Sequence, residues 1–302
     1  MFLEKEKNIM YKKVGLSIDR LQIKYGLPKA LEIAAETGAE AVDVMIDHEG
    51  HERNDYRNPA SIYSKSDEEI IAYFRDIKAK ADQLGVEISQ THGRMRGFHA
   101  DIEENKAILE NARRDCLVTS VLGAPVCVMH GVSRKWMGND VSSKEIRDLT
   151  TEMFLQIIPF AKRYNVKIAT ETLNESISDF LMSYNRICAV GDNKDYFTVC
   201  MDTGHTNVAV HGSSLSLGDA IRMLGGSISV LHLHDNNGLK DQHKLPMTGD
   251  IDWKDVLLAL EEVGYTGVYN LELKLEEFGQ ELQVSYAKFA VEVMKNMINN
   301  GN

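Results

Sequence analysis

A chain of 302 residues that is 43% hydrophobic, 26% charged and carries a formal net charge of −11 has the make-up of an ordinary soluble globular protein. Its acidic field repels nucleic acid and anionic membranes, so neither is an expected partner. No apolar run reaches the ~18 residues needed to span a bilayer, and a chain this long buries enough apolar surface to fold without disulfides or a structural metal.

The charged segment from Met1 to Lys13 lacks the apolar stretch of a signal peptide, which makes a cytoplasmic location the expectation. Cys116, Cys127, Cys188 and Cys200 form no CxxC pair and read as buried thiols of a reducing compartment. In chain order, short apolar runs fall at Val14–Ile18, Ala41–Ile46, Val86–Gln90, Pro125–Met129, Val166–Thr170, Phe197–Met201, Ile228–Leu233 and Gly267–Leu273. Segments of helical period follow them at Pro28–Thr37, Asp67–Leu84, Ile102–Leu122, Ser143–Tyr164, Ile177–Val190, Leu217–Leu224, Trp253–Val263 and Leu282–Met297. Gly38, Gly85, Gly123 and Gly264 sit where a helix should stop, and Ser66 sits where a helix should be capped. Eight strands alternating with eight helices predict parallel strands joined by right-handed crossovers. A single (β/α)8 TIM barrel, one domain over residues 1–302, is the architecture for that count. An open doubly wound sheet is the alternative, weakened because no GxGxxG follows the first strand.

In such a barrel, chemistry sits where strands end and the following loops begin. Here strand after strand ends in a residue type that binds metals: His92 on the third, His130 on the fourth, Glu171 on the fifth, Asp202 followed by His205 on the sixth, His232 and His234 on the seventh, and Glu272 on the eighth. One such residue is usually a satisfied polar group or a helix cap. Six strands in succession predict a shared axis, where crowded carboxylates are tolerable mainly when a cation neutralises them. His232 and His234 are two apart and face the same side of their strand. His234 is expected nearer the mouth, as a ligand, with His232 one layer deeper. The loop beyond adds a second acid–imidazole pair, Asp241 and His243. His48 and His51, in the charged loop from Asp47 to Asp55, together with His99 at the start of a helix and His211, carry no such context.

These residues resemble a known superfamily, the xylose-isomerase-like barrels, which holds sugar-phosphate isomerases and epimerases together with apurinic endonucleases of the endonuclease IV type. The resemblance rests on Glu171-x-x-Asn174, Asp202-Thr-Gly-His205, His232-Leu-His234-Asp235 and Asn270-Leu-Glu272. It implies Glu171, Asp202, His234 and Glu272 as core metal ligands, with Asn174 and His205 toward substrate. The endonuclease branch carries further ligands, matched here in type by His92, His130, Asp241 and His243. Some ketose epimerases place a glutamate and an arginine where this chain has Ile177 and Lys240. Those two epimerase contacts are therefore not matched in type here, and Lys240 is a candidate to hold a hydroxyl or phosphate oxygen.

The leading expectation is a divalent-metal-dependent isomerase or epimerase acting on a sugar, sugar phosphate or polyol ketone by proton transfer through a metal-stabilised enediolate. Glu171 and Glu272 are its proton-transfer pair. Glu171, Asp202 and Glu272 with one imidazole suit Mn²⁺, and the added histidines shift the preference toward Zn²⁺, with one to three ions. Trp253, Phe98 or Trp136 is a candidate cover for an apolar sugar face. The rival readings are a zinc-dependent apurinic endonuclease using Arg94, Met95 and Arg96 against DNA, a lyase or dehydratase on the same scaffold, and a binding protein with a degenerate site. The apolar last helix, Leu282–Met297, is a candidate contact between copies of the chain.

Overall fold

A computed structural model describes residues 11–46, 55–137 and 140–299. The elements run β1 (Val14–Ser17), α1 (Asp19–Tyr25), α2 (Leu27–Thr37), β2 (Ala41–Met45), α3 (Asp67–Leu84), β3 (Glu87–His92), α4 (Ile102–Val121), β4 (Val126–Met129), α5 (Arg134–Met137), α6 (Ser143–Tyr164), β5 (Lys167–Glu171), α7 (Ile177–Cys188), β6 (Phe197–Asp202), α8 (Thr203–Val210), α9 (Leu217–Leu224), β7 (Ile228–His232), α10 (Trp253–Glu262), β8 (Tyr269–Leu271) and α11 (Gln283–Asn299). Every expected strand and helix is present. Three short helices, α1, α5 and α8, were not expected. His48 and His51 lie outside the described residues, as do Met1–Met10 and the side chain of Trp136. No helix among the described residues is long and apolar enough to cross a membrane.

The strands pair in parallel in the order β7-β6-β5-β4-β3-β2-β1-β8. The sheet curls into a nearly closed barrel, because Leu233, just past β7, bridges Leu271 of β8. The Leu233 amide donates to Asn270 O at 2.8 Å, and the Glu272 amide donates to Leu233 O at 3.1 Å. This (β/α)8 arrangement fixes where side chains point. Along β4 to β7 one face carries Val126, Val128, Ala169, Cys200 and Val230, which pack together as an apolar cluster. Two residues beyond Val128, Ala169, Cys200 and Val230, the same face presents His130, Glu171, Asp202 and His232. A dry floor therefore sits beneath a polar rim.

The helices form where the sequence gives them a start and a stop. Ser66 accepts the Glu69 amide while the Glu69 side chain accepts the Ser66 amide, a capping box that opens α3. Gly85 closes α3 at φ 68°, a left-handed conformation that costs glycine little. Ser142 and Glu145 open α6 the same way. His99 does not begin a helix: α4 starts at Ile102, capped by Asp101, whose carboxylate accepts the amides of Glu103 and Glu104. Cys116, Cys127 and Cys200 are buried and all four thiols are free.

Candidate metal centre

β5 and β6 each deliver a buried acid to the barrel mouth. Glu171 pairs in register with Cys200, and Asp202 pairs with His232. Glu171 is 1% exposed and lies among four imidazoles. Its Oε2 is 3.0 Å from His130 Nε2 and 3.2 Å from His92 Nε2. Its Oε1 is 3.2 Å from His205 Nδ1 and 3.4 Å from His232 Nδ1. Asp202 ends β6 and also caps α8, because its Oδ1 accepts the His205 amide at 2.6 Å. That cap leaves Oδ2 free to reach His234 Nε2 at 3.0 Å. Gly204 lets the α8 backbone lie against the His234 ring, where any Cβ would overlap it.

Potential metal-donor atoms gather in groups, each within 4.8 Å. The largest joins Glu171, Asp202, His232 and Glu272; a second joins His92, His130 and Glu171; a third joins His234, Asp241 and His243. The two histidines of β7 and its end fall in different groups. His232, not His234, is the imidazole that stands with the three acids, its Nδ1 lying 3.6 Å from Glu272 Oε2 and 4.0 Å from Asp202 Oδ2. β7 ends at His232, so His234 belongs to the departing chain and leans toward the Asp241–His243 loop, with its ring stacked on His243 at 4.1 Å. Asp241 Oδ2 sits 3.0 Å from His243 Nε2 and 3.3 Å from His205 Nε2. That loop is tied down by Asp235, which accepts the Asn236 and Ile251 amides and the Trp253 indole N–H, the last at 2.9 Å.

Burial and neighbouring charge oppose each other throughout this cluster. Burial would raise the Glu171 carboxyl, yet the surrounding imidazoles of His130, His232 and His205 hold it well below its ordinary range. Asp202 is lowered too, burial being outweighed by His205 and His234. His92 resists burial through its bond to Glu171 and is raised to about 9. His243 is raised to about 10 by Glu272 and Asp241, again against burial. The rim thus gathers electron-pair donors that stabilise whatever positive charge enters it.

The centre opens into a cavity of about 260 Å³ lined by His92, His130, Glu171, His205, Asp241, His243 and Glu272. Asp19, Arg20, Lys135 and Lys274 also face it. None of these four was singled out in the sequence, because Asp19, Arg20 and Lys135 lie in the short helices α1 and α5, which the sequence pattern did not disclose, and Lys274 follows β8 without a motif. Lys240 is exposed and does not line this cavity. Asn174 is exposed and faces a separate cavity of about 370 Å³ beside α6 and α7, because the chain has already left the barrel axis after Glu171. Trp253 and Phe98 are buried and line neither cavity, so neither covers a sugar here. Arg94 is no DNA contact: it is 5% exposed and gives its guanidinium to Asp115 at 2.7 and 3.1 Å.

Comparison with known proteins agrees with this architecture. The model of the xylose isomerase-like TIM barrel family matches residues 31–296, and the chain belongs to that family. The chain spans about half the length of two uncharacterised relatives, from Sinorhizobium fredii and Methanocaldococcus jannaschii. An inosose isomerase of Bacillus velezensis is 24% identical over 219 residues, covering 70% of this chain and 72% of that protein. Among solved structures, IOLI protein with a bound zinc atom superposes with a TM-score of 0.70 at 16% identity, over 95% of this chain and 97% of that one. A D-psicose 3-epimerase of Clostridium cellulolyticum H10, solved with D-tagatose, gives a TM-score of 0.71 at 15% identity, over 95% and 99%.

Proposed function

We propose that this chain, acting as one barrel domain, is a divalent-metal-dependent isomerase or epimerase of a ketose, sugar phosphate or polyol ketone. The observation that carries the reading is the convergence of Glu171, Asp202, His232 and Glu272 at the strand ends. The donor set fits a cation. His232 Nδ1, His234 Nδ1 and Glu272 Oε2 are buried without a hydrogen-bond partner among the described residues, an expensive condition unless something else satisfies them. Glu171, Asp202, His232 and Glu272 would hold one ion, and the His92–His130 and His234–Asp241–His243 groups would hold others. Three acids with one imidazole suit Mn²⁺, and the imidazole-rich groups suit Zn²⁺.

A divalent cation, when bound, supplies Lewis-acid polarisation of a carbonyl. The chain supplies the rest. Glu171 and Glu272 come from β5 and from just beyond β8, and so approach a substrate from different sides. One carboxylate takes the proton next to the carbonyl and the other returns it, each contributing about 10²–10⁴-fold. His205 and Lys274 are placed to orient substrate oxygens. The zinc-bearing and tagatose-bearing structural neighbours, and the inosose isomerase among the relatives, support this class of cofactor and substrate.

A second reading, hydrolysis of abasic DNA by several zinc ions, is favoured by the presence of several donor groups rather than one. The buried Arg94–Asp115 pair and the net charge of −11 weigh against it. The deciding experiment treats purified protein with EDTA, restores Mn²⁺ or Zn²⁺, and follows two assays. Solvent deuterium entering D-tagatose, D-fructose or an inosose only after metal is restored supports the isomerase. Nicking of an abasic duplex without any exchange overturns it.

A further inference from the structure

We infer that Asp43, on β2, is a positioning residue that makes His232 a cation ligand by fixing which imidazole nitrogen carries the proton; the inference rests on the metal reading above. Nothing in the run Ala41–Met45 marks Asp43 as more than a polar interruption of a strand. In the fold it is fully buried, and its Oδ2 lies 2.9 Å from His232 Nε2. The bond joins β2 to β7 through the barrel interior, across 189 residues of sequence. Gln90 Nε2 donates to the same Oδ2 at 3.1 Å, so the carboxylate is itself held from β3.

A carboxylate only accepts, so the shared hydrogen sits on His232 Nε2, and in the neutral ring that binds a cation the lone pair is left on Nδ1. That lone pair lies 3.4 Å from Glu171 Oε1 and 3.6 Å from Glu272 Oε2. An electron pair directed among carboxylate oxygens is a poor neighbour for them and a good fourth donor for a cation. Without Asp43 the imidazole is free to turn over or to carry its proton on Nδ1, which blocks that donor. A carboxylate behind a ligating histidine fixes the ring and raises its basicity, and loss of such a partner costs about 10–100-fold in metal affinity. If His232 merely packed in the core, an apolar neighbour would serve at less cost than a buried acid.

The test uses the full chain, stripped with EDTA and titrated with Co²⁺, with uptake followed by visible absorption and calorimetry. Asp43→Asn keeps the shape but offers an amide that can donate to Nε2. It should weaken one ion about 10–100-fold and leave the ion of the His234, Asp241 and His243 group unchanged. The double variant Asp43→Asn with His232→Gln should lose no more than His232→Gln alone. Equal affinity in Asp43→Asn, or uniform weakening of every ion, overturns the inference and leaves the metal reading standing. Nitrogen-15 spectra of histidine in the zinc-loaded parent give an answer even where the variant fails to fold: His232 bound through Nε2 overturns the inference, and bound through Nδ1 it supports it. A parent chain that takes up no Co²⁺ removes both readings at once.

Discussion

Two populations of acidic side chains in this molecule keep different company. On the helical shell, acids meet arginines: Arg113 pairs with Asp67 and Glu110, Arg222 with Asp255 and Glu262, and Arg57 with Asp55 and Glu104. At the strand ends, Glu171 and Asp202 meet imidazoles and one another. Guanidinium neutralises a carboxylate permanently, whereas an imidazole can surrender its proton and become a ligand. The shell pairs are therefore finished interactions, and the rim is an unfinished one that an added cation completes. Burial does not separate the two. Arg94 and Asp115 are as buried as the rim, lie outside the barrel wall, and pair in the manner of the shell.

If this contrast is correct, replacements in the rim act on chemistry and those elsewhere act on stability. The largest effect is expected of Glu171→Gln, because Glu171 belongs to three of the five donor groups among the described residues. Solvent deuterium exchange should fall about 10²–10⁴-fold while the far-ultraviolet circular dichroism stays that of the parent. Exchange at the parent rate would remove Glu171 from proton transfer. Next comes Asp115→Ala, which removes the buried carboxylate that Arg94 donates to and also the acceptor of the Tyr63 hydroxyl at 2.8 Å. It should cost about 3–5 kcal/mol in urea unfolding, with metal stoichiometry retained in whatever fraction folds. A cost near zero would mean that this pair behaves as an exposed one.

Removal of metal comes third. A chain that binds its ion only when folded gains about 2.7 kcal/mol when the free ion stands at a hundred times its dissociation constant. EDTA should lower the thermal midpoint and excess Mn²⁺ or Zn²⁺ should restore it. The Asp202→Asn variant should show a much smaller response. A midpoint indifferent to chelation and to added ions would place the rim acids with the shell acids and erase the contrast.

How far the sequence discloses the molecule depends on the same division. The eight strands were legible because each is a short apolar run, and four of them follow a helix stop such as Gly85, whose left-handed backbone punctuates the chain. The helices α1 and α8 were not, because they begin directly at strand ends; Asp202 is at once the last residue of β6 and the cap of α8, with no polar loop between. Strand ends bearing His92, His130, Glu171, Asp202 and Glu272 were visible, and the fold gathers all five. Alternation along a strand could not separate His232 from His234, because period two puts both on one face. Only the end of β7 at His232 sends the two apart, His232 toward Glu171 and Glu272 and His234 toward Asp202 and Asp241. Asp43 was hidden for the opposite reason: one acid in an apolar run has no partner until β2 and β7 meet.

The smallest effect belongs to the shell and tests the contrast from its quiet side. Arg113 donates to both carboxylate oxygens of Asp67 at 2.9 Å and holds that carboxyl below its ordinary value. A carboxyl whose folded value is depressed adds stability in full above its unfolded value, near 3.9. That stability is lost as pH falls through the folded value. Asp67 is 37% exposed, so water and salt screen the pair, and its worth should stay under about 1 kcal/mol. Urea unfolding of Asp67→Asn should therefore fall slightly short of the parent at pH 7, with the gap narrowing toward pH 3 and in 1 M salt. A gap that widened in acid would show that Asp67 stabilises in its neutral form, and arginine pairing would no longer be what distinguishes the shell from the rim.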